Sequence, residues 1–215
     1  MTAELGFQHR FEPGRTPEAA CLLLLHGTGG DEDDLVPLGR LLAPEAALLS
    51  PRGKILENGM PRFFRRLAEG VFDVDDLRLR ADELAGFVTA AAERYGFDQK
   101  RLTAVGFSNG ANIAAAILLL WPETFFTAVL FRAMTPLVPE QLPDLSVHRV
   151  FLSAGRSDPI VAPENTQALA QLLRKSGARV TLDWSPGGHV IGERDVAAAR
   201  AWLAVGSPGE AIRPQ

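Results

Sequence analysis

The pentapeptide Gly106-Phe107-Ser108-Asn109-Gly110 is where this sequence could carry out chemistry. It fits G-x-S-x-G, a serine with glycine two residues away on either side. An apolar run, 102–107, leads into it, and a second, 111–121, follows. A strand that turns abruptly into a helix pushes the serine hydroxyl outward, and such a strained turn needs small residues two positions away. The helix that follows points amide N–H groups at any negative charge forming beside the serine. These features suit attack on a carbonyl. The pentapeptide alone is a weak signal, because a strand–helix turn with a capping serine can look the same. Its place between a strand pattern and a helix pattern is what strengthens it.

A second Gly-rich turn, His26-Gly27-Thr28-Gly29-Gly30, follows the apolar run 21–25. Glycine allows close backbone approach to a substrate. Where a serine sits on a strand–helix elbow, the oxyanion donors are the N–H after the nucleophile and one from a loop after another strand. That nominates the backbone N–H groups of Asn109 and Thr28. The same turn is not a phosphate loop. It matches neither G-x-G-x-x-G nor G-x-x-x-x-G-K-[ST], and the carboxylates of Asp31–Asp34 would repel phosphate. His26 precedes the turn and reads as a structural histidine that holds the loop.

Beyond Ser108 there are two histidines, His148 and His189. In open α/β sheets the chemistry lies at the carboxyl ends of the strands. His148 lies just before the run 149–154, at the wrong edge. His189 follows the last apolar run in Ser185-Pro186-Gly187-Gly188-His189, at the right one. Asp158 follows the run 149–154, also at a carboxyl end; its alternative role is to cap a turn. Asp144 and Asp183 are worse placed, one before a strand and one within it. Serine, then acid, then histidine is the chain order of α/β-hydrolases. An ionised Asp would fix the imidazole tautomer and stabilise the imidazolium, and an ordinary histidine pKa of about 6.5 suits a base near neutrality.

These residues need a frame to bring them together. Apolar runs at 21–25, 46–50, 102–107, 128–132, 149–154 and 180–184 are nearly continuous, as strands covered on both faces require. Residues 7–11 predict an antiparallel edge strand. Helical patterns lie between the runs, at 33–42, 75–95, 111–121, 164–176 and 196–204. The alternation predicts a mostly parallel sheet with helices on both faces. The 215 residues suit a single domain, with the Gly- and Pro-containing tail 206–215 expected to fray.

Residues 52–74 break the alternation. They carry the cluster Arg62-Phe63-Phe64-Arg65-Arg66 and no evident regular structure. Two readings stand. Phe63, Phe64, Arg65 and Glu57 could line a substrate pocket, with the arginines meeting an anionic or phenolic group. Alternatively the rings plug the edge of the core while the arginines pair with Glu57, Glu69 or Asp73.

Composition excludes several classes. A net charge of −4 is far from the basic footprint of a nucleic-acid binder. One cysteine, Cys21, permits no intramolecular disulfide, and no Cys/His cluster suggests a metal. The longest apolar stretch, 113–121, is far shorter than a membrane span. The first residues lack a basic segment followed by an apolar run. The expectation is a cytoplasmic enzyme acting on small molecules.

Taken together, the blocks LLLLHGTGG (22–30), SPRGKILENG (50–59), RFFRRLAEGVFD (62–73), GFSNGANIA (106–114), SAGRSDPIV (153–161) and PGGH (186–189) resemble the phospholipase/carboxylesterase family. This is a small branch of the α/β-hydrolase fold without a large lid, and the similarity is to its bacterial MhqD-type members. The resemblance implies a serine carboxylesterase with Ser108, Asp158 and His189 as its catalytic residues, no cofactor, and frequent homodimers. Thioesterase or lysophospholipase activity on the same site, or a silent binding module, are the alternatives. Asn109 stands where acyl-protein thioesterases usually carry Gln, which argues against protein deacylation.

Overall fold

In the computed structural model, which describes residues 5–16 and 18–205, seven strands form one sheet. They are β1 (His9–Glu12), β2 (Cys21–Leu25), β3 (Ala47–Pro51), β8 (Leu102–Phe107), β9 (Thr127–Phe131), β10 (Arg149–Gly155) and β11 (Arg179–Ser185). Their spatial order is β1-β3-β2-β8-β9-β10-β11. β1 runs antiparallel to β3 and every other neighbour pair is parallel. The strands expected from the sequence are all present; β2 and β8 coincide with the expected runs and the others differ at their ends by a residue or two.

Strand side chains alternate between two cores. Cys21, Leu23, Leu25, Ala104 and Leu130 face helices α2 (Val74–Tyr95), α3 (Asn109–Leu120) and α4 (Pro163–Lys175). Leu22, Leu24, Val105, Val129 and Phe151 face α1 (Val36–Leu42) and α5 (Glu193–Ala204). A period of two on strands buried on both sides requires such a split. α3 is apolar on nearly all sides because it is pressed between the sheet and α2: Ala111 and Ile113–Leu118 have no exposed surface. α2 is held at both ends. The Asp73 carboxylate accepts the Asp76 N–H at its start, and Gly96 ends it in the left-handed conformation.

The segment between β3 and α2 is not the irregular loop expected. It folds as two small hairpins, β4 (Ile55–Glu57) with β5 (Met60–Arg62), and β6 (Arg66–Ala68) with β7 (Val71–Phe72). The first turns on Asn58-Gly59, both with positive φ. Asn-Gly is the preferred pair for a two-residue hairpin turn, so a sequence signal was there to be read. Residues 206–215 lie outside the described residues, and so does the tail expected to fray.

The chain order reverses on either side of β2: β3 lies on one flank and β8 on the other. Crevices at such reversals, outside the carboxyl ends of the strands, are where ligands bind in open α/β sheets. The loops after β2 and β8 meet there.

Candidate active site

Ser108 sits between β8 and α3 with φ of 50°. Its backbone is fixed on both sides. Its N–H donates to the Phe131 carbonyl at the end of β9, and its carbonyl accepts the Asn112 N–H of the first helical turn. Its side chain makes no cap bond, so the hydroxyl faces the cleft. There it meets His189, whose Nε2 lies 2.8 Å from Ser108 Oγ. On the other side of the ring, Nδ1 lies 2.8 Å from Asp158 Oδ2. With its proton on Nδ1, the imidazole donates to the carboxylate and offers Nε2 as an acceptor for the serine hydroxyl. The three side chains come from loops after three different strands and form one continuous hydrogen-bonded chain.

Asp158 does both things open to it in the sequence. Oδ1 accepts the N–H groups of Ile160 and Val161 and so caps its own turn, while Oδ2 faces the histidine. Its side chain is 1% exposed, which pins the carboxylate against the ring.

Thr28 and Asn109 line the cleft together with Ser108. Neither backbone N–H donates to another protein group among the described residues. The turn bearing Thr28 is braced from outside: Gly29 N–H donates to the Pro61 carbonyl, and Arg62 Nη1 donates to Thr28 Oγ1 at 2.5 Å. The Asn109 side chain accepts the Phe63 N–H at 2.7 Å. β5 and the residue that follows it therefore brace both the turn bearing Thr28 and the start of α3 at Asn109.

His26 is 1% exposed and lies outside the serine–histidine–aspartate chain. Nδ1–H donates to the Gly27 carbonyl at 2.6 Å, and Nε2 accepts the Gly53 N–H at 2.9 Å. Burial holds its pKa below the ordinary 6.5, although the Gly27 carbonyl, Asp34 and Asp31 pull it upward. A proton on Nε2 would point at an amide N–H. The unfolded chain binds that proton near pH 6.5 and the folded one resists it, so folding stability should fall as pH drops from 6.5 toward the lower folded value. Urea melts between pH 7.5 and 5.5 check this, with the decline shallower in His26→Gln. Equal slopes would place the acid sensitivity elsewhere.

His148 stays at the opposite edge, 2% exposed, with Nε2 on the Pro122 carbonyl. Cys21 is fully buried and its thiol is pushed up to about 12 by burial, so it offers no thiolate.

The cleft over Ser108 holds about 310 Å³. Its walls include Phe72, Phe107, Met134 and Ile160, with Arg62, Arg66 and Glu69 on the polar side. The four residues expected from the sequence to bind substrate are not among those walls. Phe63 and Phe64 are 2% and 0% exposed and belong to the core under α2 and α3. Phe63 packs tilted on His26 and Phe64 meets Phe72 edge to face, because the chain between the hairpins must close the core edge. Arg65 points outward, paired with Asp73 at 3.0 Å. Glu57 stands one step back: its Oε1 accepts from Arg66 and its Oε2 lies 3.4 Å from Arg62. It thereby orients the two arginines that do reach the cleft. The prediction for Arg65→Ala follows directly. Its relative rates on neutral and acid-bearing esters should match wild type within about twofold, since an exposed ion pair contributes little. A changed preference would return Arg65 to the substrate.

Comparison with known proteins agrees with the architecture. Residues 8–206 match the Phospholipase/Carboxylesterase family, and the chain belongs to it. It is a carboxylic-ester hydrolase of the α/β-hydrolase fold. It is 46% identical over 195 residues to MhqD of Bacillus subtilis (strain 168), named as a hydrolase, covering 91% of this chain and 96% of that one. Among solved structures, the Bacillus cereus carboxylesterase superposes with a TM-score of 0.91 at 44% identity, over 93% of this chain and 94% of the other. A carboxylesterase from Mesorhizobium loti gives 0.87 at 36%, over 95% and 97%. No helix among the described residues is long and apolar enough to cross a membrane.

Proposed function

We propose that this chain is a single-domain serine esterase that hydrolyses small to medium carboxylic esters by two-step acyl transfer. The carrying observation is the unbroken contact from Asp158 through His189 to Ser108, 2.8 Å at each step. Ser108 Oγ attacks the ester carbonyl as its proton passes to His189 Nε2. Asp158 holds the imidazolium that results. Charge gathers on the former carbonyl oxygen, where the N–H groups of Thr28 and Asn109 receive it; losing one such donor typically costs ~100- to 1,000-fold. Collapse expels the alcohol, which takes the proton from His189. Water then repeats the sequence on the acyl-enzyme, with His189 as base, and releases the acid. No cofactor or metal is needed for any step.

The modest, open cleft favours acyl groups of limited length. Arg62 and Arg66 stand in the same cleft as its apolar walls. Thioester hydrolysis would use the same atoms. Paired oxygen and thiol esters of the same acyl group, run over a series of chain lengths, test the reading. We expect turnover of the oxygen ester to peak at short to medium acyl chains. A preference for long acyl chains, or for the thioester by more than tenfold, would overturn it.

The working location we propose is the cytoplasm, in keeping with a single buried thiol and no disulfide. Homodimer assembly is the expectation that the family brings.

A further inference from the structure

The loop that carries His189 has little to hold it by itself. Residues 186–192 connect β11 to α5 without regular structure, and three of the seven are glycine. A histidine that must stay within hydrogen-bond reach of two partners needs that loop fixed from elsewhere. The fixing group is Arg132, which the nucleophile, acid and base do not account for.

Arg132 follows the last residue of β9 and has φ of 57°, a conformation rare for side chains other than glycine, asparagine and aspartate. Its side chain has no exposed surface. Nε donates to the Gly188 carbonyl at 2.8 Å and Nη2 to the Val190 carbonyl at 2.6 Å. Those two carbonyls flank His189. The remaining donors meet Ser153 Oγ, Ser185 Oγ and both oxygens of Asp195. Asp195 is 2% exposed and also accepts from Ser153 Oγ–H and Gly192 N–H. A buried guanidinium with all its donors engaged and a paired carboxylate is a rigid hub, since its fork geometry admits few alternatives. The position has a second consequence. The carbonyl just before Arg132, that of Phe131, receives the Ser108 N–H. One dipeptide at the end of β9 therefore anchors both the nucleophile's turn and the base's loop.

We infer that Arg132 is a positioning residue that sets His189 against Ser108, acting through the Gly188 and Val190 carbonyls with Asp195 as its buried counterion. This rests on the esterase reading above. Arg132 does not line the cleft, so its loss should lower kcat and spare KM. A base displaced by about 1 Å can cost ~100-fold.

The test uses three variants and a short-chain p-nitrophenyl ester. Arg132→Lys keeps a cation beside Asp195 but cannot span both carbonyls. The double variant Arg132→Met/Asp195→Leu removes both charges and so leaves no unpaired buried charge; such swaps are often neutral for folding. Ser108→Ala reports on the esterase reading itself. We expect kcat to fall about 100-fold in the folded double variant, KM to change by less than threefold, and the downfield proton resonance of the His189–Asp158 hydrogen bond to broaden. Arg132→Lys should show the same split. A folded double variant with wild-type kcat, while Ser108→Ala is inactive, would overturn the inference and leave the esterase reading standing. An active Ser108→Ala would remove the esterase reading first. If neither Arg132 variant folds, the serine-to-alanine changes at 153 and 185, which trim single hydroxyl contacts to the guanidinium, take over. Graded loss of kcat at constant KM supports the role, and unchanged kcat in both refutes it.

Discussion

Ser108→Ala should lower kcat on a p-nitrophenyl ester by at least about 10⁴-fold while leaving folding intact. The size follows from what the hydroxyl does alone. In the proposed mechanism there is no acyl-enzyme without it, and the amides of Thr28 and Asn109 can only polarise a carbonyl for attack by water. In hydrolases of this type the loss of the nucleophile costs as much as the loss of the whole set, with a residue of catalysis left from binding and the oxyanion donors. Folding should survive because the Ser108 backbone, not its side chain, is tied to Phe131 and Asn112, and the side chain makes no cap bond. Rates and circular dichroism on the same preparation check both halves. Near wild-type turnover in a folded Ser108→Ala protein would end the assignment.

Gly110→Ala should be the most damaging glycine-to-alanine change among the described residues. Gly110 is the second residue of α3, and a Cβ there would fall 1.9 Å from the Leu25 carbonyl oxygen and 2.6 Å from that of His26. Both neighbours are backbone atoms at the end of β2, so no rotamer change relieves the clash. Either α3 lifts from the sheet or the β2 loop bearing Thr28 moves. Overpacking usually costs 1–3 kcal/mol, and this backbone collision should reach or exceed about 3 kcal/mol. For a domain of this size that is a drop in Tm of roughly 10 °C. Activity should fall further than stability alone explains, because Thr28 and Asn109, the proposed oxyanion donors, would separate. Gly86→Ala is the control. Gly86 is an exposed residue within α2 with nothing within 4 Å of an added methyl, and alanine there should stabilise by up to about 1 kcal/mol. Comparable Tm losses in both variants would mean that helix packing, not the elbow, governs the result.

Much of this arrangement was legible in the sequence, for identifiable reasons. Strands buried on both faces announce themselves as continuous apolar runs, so β2 and β8 were read to the residue. The edge to which Asp158 and His189 belong followed from their position after their strands. Helix starts were harder. α5 begins at Glu193, three residues before the apolar pattern does, because Glu193, Arg194 and Asp195 give its first turn a charged look. α1 begins at Val36 and not 33, since Asp31–Asp34 spend themselves in turns.

Of the two readings open for 52–74, the second holds: Phe63 and Phe64 close the core edge, and Arg65 and Arg66 pair with Asp73 and Glu57. Rings and charges alone do not separate the two, because the direction of Phe63 and Phe64 is set by the short link between the hairpins that closes the core edge. Phe63 and Phe64 were taken up inward, and the cleft received Arg62 and Arg66. Arg132 was invisible as a functional residue. A lone arginine at the end of an apolar strand reads as a surface cation, and nothing local in the sequence reveals that carbonyls 56 and 58 residues away will close around it.

Labelling with a fluorophosphonate, followed by peptide mapping, addresses the central claim most directly. Such probes phosphonylate, with loss of fluoride, a serine whose proton can be taken by a nearby base. The expected result is one adduct per chain on the peptide containing Ser108, with labelling at least about 100-fold slower in His189→Ala. An adduct on another residue, or a rate indifferent to His189, would contradict the account.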